Sequence, residues 1–378
     1  MFEVRAKKGC ALLISPEPWD GNWVSKHHYA KSLVNAGMSV FFLDPPIAKG
    51  DKFEVFQVEN TSDLYNVRCK RVFPGLQYMP PFIRVWLESN WLKKLERYLN
   101  VHFDVIWLFE NSRFFDMRFA GDRLKIYHQV DLNQDFHPLL AVKTSDVALC
   151  TSDAIANTLT QSGKKINKVN HGVEITNYEA SDLPRSPKIN HNEINAVYVG
   201  NLDISYLDLS LLQEAIETHH NVVFHLVGNY SLSGSTYAAL RKYSNIRWWG
   251  RVSSAAVASI LPKMDICLLV YKAEDYREQL SNPHKLMEYM AAGSVCVATY
   301  TDEYKYHPEL LQMAGNRDEY LSLLQEVINS LEEFNSEEAV ASRREFAFSN
   351  SYSKQLNRIK DIIESAGLSA PFMRVQDE

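Results

Sequence analysis

Short apolar runs alternate with longer amphipathic stretches along this chain. Ala11–Ser15 (ALLIS), Ser39–Leu43 (SVFFL), Val105–Phe109 (VIWLF), Leu124–Val130 (LKIYHQV) and Asp146–Cys150 (DVALC) have strand length. Runs this short and this apolar predict strands buried in a sheet. Between the first two lie a turn-rich loop, PEPWDGNW, and a helical pattern from Val24 to Asn35 that Gly37 stops. Strand, loop, helix and strand in that order make a βαβ unit, which implies a parallel sheet. Residues 50–75 read as shorter strands and turns, and Phe82–Leu99 as a long amphipathic helix. Ser152 and Asp153 start another helix, running to about Thr160. The stretch 179–193, two prolines among polar residues, reads as a linker. The alternation then restarts with Ala196–Val199, Val222–Val227, Ile246–Trp249, Asp265–Val270 and Val295–Ala298, with helices between. The remainder is helical over Arg317–Asn335, Ser336–Phe348 and Ser353–Ser365.

The chain has 378 residues, too many for one ordinary core. The fold class is therefore α/β with two domains, 1–180 and 190–345, followed by a C-terminal helix over 346–368. Ligands of parallel sheets sit beyond the strand C-termini. This directs attention to the first loop, with Asp20, Gly21, Asn22 and Trp23, and to His27 on the helix that follows. In the second domain the loops Gly200–Asp203, Gly228–Tyr230 and Gly250–Val252 converge if the sheet is parallel. Gly200 and Gly228 there leave room for backbone to approach a phosphate or base.

The stretch Ser281–Thr299, SNPHKLMEYMAAGSVCVAT, concentrates the chemistry. Pro283 suits a helix start, Leu286, Met287, Met290 and Ala291 make one apolar face, and Gly293 suits the stop. Lys285 in the first turn, beside free N–H groups, is a ready anion site, and Glu288 can accept hydrogen bonds from vicinal hydroxyls. The competing reading is an amphipathic helix with solvated charges. Phosphate plus ribose suggests a nucleotide-sugar.

Composition narrows the picture further. The net charge of −6 gives no footing for nucleic-acid binding. Cys10, Cys69, Cys150, Cys267 and Cys296 are widely spaced and odd in number, which argues against a disulfide framework. No apolar run reaches bilayer length, and no secretory h-region is visible. A soluble cytoplasmic protein is expected. The helix at 82–99 mixes aromatic and basic residues. It reads either as a core-packing helix with a solvated basic face or as a peripheral contact with the inner membrane face.

The Ser281–Thr299 stretch resembles the P-x-K-x-x-E-Y-x-A-x-G element of GT-B glycosyltransferases of the group 1, family 4-like kind. Pro283, Lys285, Glu288, Tyr289, Ala291 and Gly293 match in register. Within that fold the chain is most similar to inverting bacterial polysaccharide transferases of the xanthan glucuronosyltransferase type. That likeness rests on Tyr127–Leu132, His171-Gly172-Val173, Val197–Leu202, Lys285–Tyr289 and Tyr271. It implies two Rossmann-like domains with parallel sheets facing a deep cleft, and a C-terminal helix crossing back to the first domain. It implies a UDP-sugar donor held by Gly200, Asn201, Leu202, Gly228, Arg251, Val252, Tyr271, Lys285, Leu286 and Glu288. Among these Glu288 takes the ribose, the helix start faces the diphosphate, and Val252 holds the base through its backbone. Asp131 is then the catalytic general base, with His128 and Asp135 as fallbacks. The acceptor is a saccharide or a lipid-linked saccharide. Neither D-x-D nor a His/Cys cluster occurs, so no metal and no cofactor is expected. Two departures from the retaining pattern stand out: Leu280 replaces a Glu, and Gly200-Asn201-Leu202-Asp203 lacks the usual Arg and Lys. A retaining transferase, a nucleotide-sugar epimerase and a non-catalytic nucleotide-sugar-binding protein stay open as alternatives.

Overall fold

A computed structural model describes residues 9–375 except 22, 60, 110–112, 133–135, 180–188 and 191. The chain forms two compact units, Met1–Asn170 with Tyr352–Glu378, and His171–Ser351.

The first unit is built on β1 (Cys10–Ile14), β2 (Ser39–Leu43), β3 (Phe53–Gln57), β4 (Leu64–Cys69), β5 (Val105–Leu108), β6 (Leu124–Gln129), β7 (Val147–Cys150) and β8 (Ile166–Lys168). Their order is β3-β4-β2-β1-β5-β6-β7-β8, parallel throughout except for the antiparallel edge strand β3. Apolar layers cover both faces. On one face Trp91, Leu92, Leu95 and Leu99 of the helix Pro81–Leu99 pack against Leu12, Phe41 and Ile106. On the other, Tyr29, Ala30 and Leu33 of the helix Ser25–Asn35 join Leu356, Ile359 and Ile363 of the helix Tyr352–Ser365. The latter three recur at helical spacing and are fully buried. Each stabilises the unit by about 1.5–3 kcal/mol. His28 lies flat on Tyr352, ring centroids 4.5 Å apart, which ties this helix to Ser25–Asn35.

The second unit is built on β9 (Ile194–Val199), β10 (Val222–Val227), β11 (Ile246–Gly250), β12 (Ile266–Leu269), β13 (Val295–Thr299) and β14 (Gln312–Ala314). Their order is β11-β10-β9-β12-β13-β14, all parallel. The helix Lys285–Ala292 precedes β13 and ends on Gly293 at φ +91°, whose N–H donates to the carbonyls of Tyr289 and Met290. A Cβ is unfavourable in that left-handed backbone.

Several elements depart from expectation. The helix expected over Arg317–Asn335 breaks at Ser330 into Arg317–Asn329 and Leu331–Phe334. The three-residue strand β14 was too short for a pattern to reveal. The amphipathic helix buries Arg84, Glu88 and Glu96 as well as its apolar face, while Phe82 and Trp86 are exposed. Most of the expected linker at 179–193 lies outside the described residues. No helix among the described residues is long and apolar enough to cross a membrane.

Candidate active site

The second sheet reverses direction of growth between β9 and β12, which opens a crevice at their C-terminal ends. These two strands pair only through Ile266 with Ala196 and Cys267 with Val197, then part. The Tyr289 hydroxyl fills the gap. It accepts from the Val199 N–H at 3.0 Å and donates to the Leu268 carbonyl at 3.3 Å. The tyrosine of the E-Y pair is thus a buried strut fixing the helix Lys285–Ala292 beside the crevice.

At the start of that helix Lys285 Nζ lies 2.8 Å from Glu288 Oε2, both partly exposed. No side chain caps this helix, and the Leu286 and Met287 amides turn back to the carbonyls of Pro283 and His284. The two charges offset each other. The phenols of buried Tyr271 and partly buried Tyr178 are both pushed up, by burial first, with the Glu288 charge adding to it. Tyr271 is also fixed by its N–H to Thr299 Oγ1 at 3.0 Å. Leu286 is fully buried in the core and offers no side chain to a ligand.

The three glycine loops meet, but as parts of the sheet end. The Gly200 N–H donates to Val227 O and the Gly228 N–H to Gly250 O, both at 2.9 Å. A Cβ on Gly228 would lie 1.8 Å from the Gly200 carbonyl oxygen, so its small size serves the approach of backbone to backbone. Leu202 is buried, its N–H donating to Asn229 O and its carbonyl accepting from Thr236. The Leu202 and Leu286 side chains are thereby withdrawn from the donor, whereas Gly200 and Gly228 are half-buried. The N–H groups of the two glycines and Leu202 are spent within the sheet end, and the Leu202 and Leu286 side chains are spent in the core. Asn201 and Arg251 are exposed, and Val252 is half-buried with neither backbone group hydrogen-bonded among the described residues. A cavity of about 500 Å³ at the ends of β12, β13 and β14 includes Tyr271, Thr299 and Arg317 but none of the other donor candidates.

In the first unit Asp131 follows β6 and is exposed. Its backbone carbonyl accepts from Gln129 Nε2 at 3.2 Å, and among the described residues its carboxylate has no ion-pair partner. His128 is buried among Tyr29, Trp107 and Phe109, which removes it as a fallback base. Asp135 and Asn22 lie outside the described residues.

His27 is corrected as well. Its Nδ1 accepts from the Val24 N–H, its Nε2 faces Pro18 O, and Trp23 and Phe42 stack on it. Burial lowers its pKa to about 4, so it is neutral and structural, closing the helix start. Trp23 stays half-buried, with Lys31 Nζ 4.5 Å from its ring centroid.

Sequence reasoning missed one feature of this unit. A cavity of about 740 Å³ lies at the C-terminal ends of β4, β2, β1, β5 and β6. Arg113 anchors its floor, donating to the carbonyls of Asp44 and Ser15 at 2.8 and 2.7 Å. Buried Asp44 in turn accepts from the Trp19 N–H, Asn66 and Arg68. The Lys70-Arg71 doublet immediately after β4 was the one available signal.

Residues 193–328 match the family described as "Glycosyl transferases group 1". The chain is similar in structure to the sucrose-phosphate synthase of Thermosynechococcus elongatus, at TM-score 0.71 and 12% identity, covering 94% of this chain and 98% of that one. A glycosyltransferase from Rickettsia africae gives 0.69 and 12%, covering 96% and 99%. Anabaena HepE in complex with UDP and glucose gives 0.67 and 13%, covering 94% and 100%. No curated protein matches at the level of sequence. The structural likeness establishes the GT-B fold, and the match over 193–328 supports a glycosyltransferase.

Proposed function

We propose that the chain transfers a sugar from a UDP-sugar to a saccharide or lipid-linked saccharide acceptor in cell-surface polysaccharide or glycan synthesis, with inversion. The observation that carries this reading is the Lys285–Glu288 pair at an uncapped helix start beside the β9/β12 crevice, within the matched segment. The UDP assignment draws on Anabaena HepE, whose structure holds UDP and glucose. The xanthan glucuronosyltransferase likeness makes a polysaccharide the acceptor class, at the cytoplasmic face of the membrane.

In this scheme Asp131 takes the proton of the acceptor hydroxyl as its oxygen attacks the anomeric carbon. The bond from that carbon to the phosphate oxygen breaks, and UDP departs with the electron pair. Lys285 and the positive end of the helix dipole offset the charge gathering on the leaving diphosphate. Glu288 orients the ribose, the Val252 backbone meets the base, and Asn201, Arg251 and Tyr271 complete the donor side. Asn22 and Trp23 serve the acceptor. The scheme needs neither metal nor cofactor. Inversion is favoured by Leu280, an apolar core residue at the position of the retaining glutamate.

Transfer assays with Asp131→Asn test the reading. The variant should lose about 10²–10⁴ in kcat while UDP affinity holds. An α-linked product from an α-linked donor would contradict the role of Asp131.

A further inference from the structure

The cavity of the second unit lies at the C-terminal ends of β12, β13 and β14. The helix Leu209–Thr218 leads from β9 toward the β11 edge of the sheet, whereas Lys285–Ala292 leads from β12 toward the β14 edge. Right-handed crossovers put these two helices on opposite faces. The cavity takes Asp208 and Leu211 from the start of the first helix and Arg317 from the start of Arg317–Asn329, so it sits on the face away from Lys285 and Glu288. Its two arginines are fixed by carboxylates. Arg277 Nε and Nη2 each donate to an oxygen of Asp302 at 3.1 Å, the Tyr300 hydroxyl donates to Asp302 at 2.9 Å, and the guanidinium lies 4.8 Å from the Tyr300 ring centroid. Arg317 Nε donates to Glu214 at 3.2 Å and its Nη1 to Ser210 Oγ at 2.8 Å. Both cations are thereby offset, yet each guanidinium keeps N–H groups to spare, and Arg277 Nη1 has no hydrogen-bond partner among the described residues. The remaining cation of the lining, Lys272, donates to the Ser205 carbonyl at 3.0 Å and is outnumbered at the rim by exposed Glu274 and Asp275.

We propose that this cavity binds a neutral saccharide unit at a site separate from that of the nucleotide-sugar. A sugar ring presents an apolar C–H face and vicinal hydroxyls that both donate and accept. Tyr271, Tyr300 and Ala273 supply apolar surface for the face. The spare guanidinium N–H groups and the Asp208 carboxylate meet the hydroxyls, and their ion pairs hold them in place before the ligand arrives. A phosphate finds no uncompensated arginine here and meets two carboxylates at the rim. An apolar ligand would strand the polar walls. The volume of about 500 Å³ is that of a small-ligand site. The proposal does not rest on the transferase reading.

Glucose, galactose and mannose, each beside its own 6-phosphate, are titrated into the full chain and followed by saturation-transfer NMR. One of the neutral sugars should bind about tenfold tighter than its 6-phosphate. Arg277→Ala and Tyr300→Ala should each weaken that sugar about tenfold. Arg277 is exposed and Tyr300 half-buried, and an unchanged melting temperature certifies the fold of each variant. Glu288→Ala, on the opposite face, should leave the sugar signal in place. Absence of binding by all three sugars, a 6-phosphate that binds as well as its sugar, or unchanged affinity in both cavity variants would overturn the proposal. Loss of the signal in Glu288→Ala would overturn it too, by placing the sugar at the donor side. A UDP response measured on the same samples separates the two readings. UDP binding without sugar binding defeats only this proposal, and the reverse defeats only the transferase.

Discussion

Glu88 sits fully buried on the helix Pro81–Leu99, neither carboxyl oxygen having a hydrogen-bond partner among the described residues. Burial pushes its pKa up from 4.5 to about 8, Arg84 pulling it down and Asp116 pushing it further up. The folded state therefore holds a proton that the unfolded state releases between these two values. The stability contributed is complete below the unfolded value and is lost as pH rises toward the folded one, at about 1.4 kcal/mol per pH unit. Between pH 5 and pH 7 the loss is about 3 kcal/mol. Glu88→Gln keeps the shape and removes the titration. Urea unfolding at the two pH values, followed by intrinsic tryptophan fluorescence, gives the wild-type and variant curves. The wild type should lose about 3 kcal/mol relative to the variant on going from pH 5 to pH 7. Any fixed cost of the new amide cancels in that difference. Parallel pH profiles would refute the assignment of a buried, protonated Glu88.

His27 titrates in the opposite sense: its lowered pKa contributes stability that is present above its ordinary 6.5 and lost as pH falls toward about 4. Replacing it with Gln should flatten the stability profile in that window, read by the same unfolding assay. Tyr289→Phe strands the Val199 N–H and Leu268 carbonyl and should cost about 1–3 kcal/mol in thermal or chemical unfolding. Gly228→Ala drives a Cβ into the Gly200 carbonyl and should lower the melting temperature of the second unit steeply, whereas Arg251→Ala, at an exposed position, should leave it unchanged.

The βαβ alternation was legible because buried parallel strands leave unbroken apolar runs, as at Phe41–Leu43 and Val295–Ala298. Gly293 was legible because a helix stop in the left-handed region has few chemical solutions. The approach of the Gly228 backbone to the Gly200 carbonyl was not, because a glycine that admits neighbouring backbone has no sequence mark of its own. His27 misled for a related reason, since its neutral state depends on Trp23 and Phe42 closing over it. The cation-lined cavity draws on the ends of five strands, so no local pattern announces it. Asp131, Lys285 and Glu288 stood out as candidates by residue type and position, a carboxylate past a strand and two charges in the first turn of a helix; that the last two pair with each other is visible only in the structure.

The central claim is that the second unit binds a nucleotide-sugar through Lys285 and Glu288. A melting-temperature panel of nucleoside diphosphates and their sugars, run on the wild type and on Lys285→Ala and Glu288→Ala, tests it most directly. UDP should raise the wild-type melting temperature, one UDP-sugar should raise it further, and both substitutions should diminish the response without lowering the unliganded value by more than a few degrees. A wild-type protein whose melting temperature no nucleotide or nucleotide-sugar moves would contradict the account.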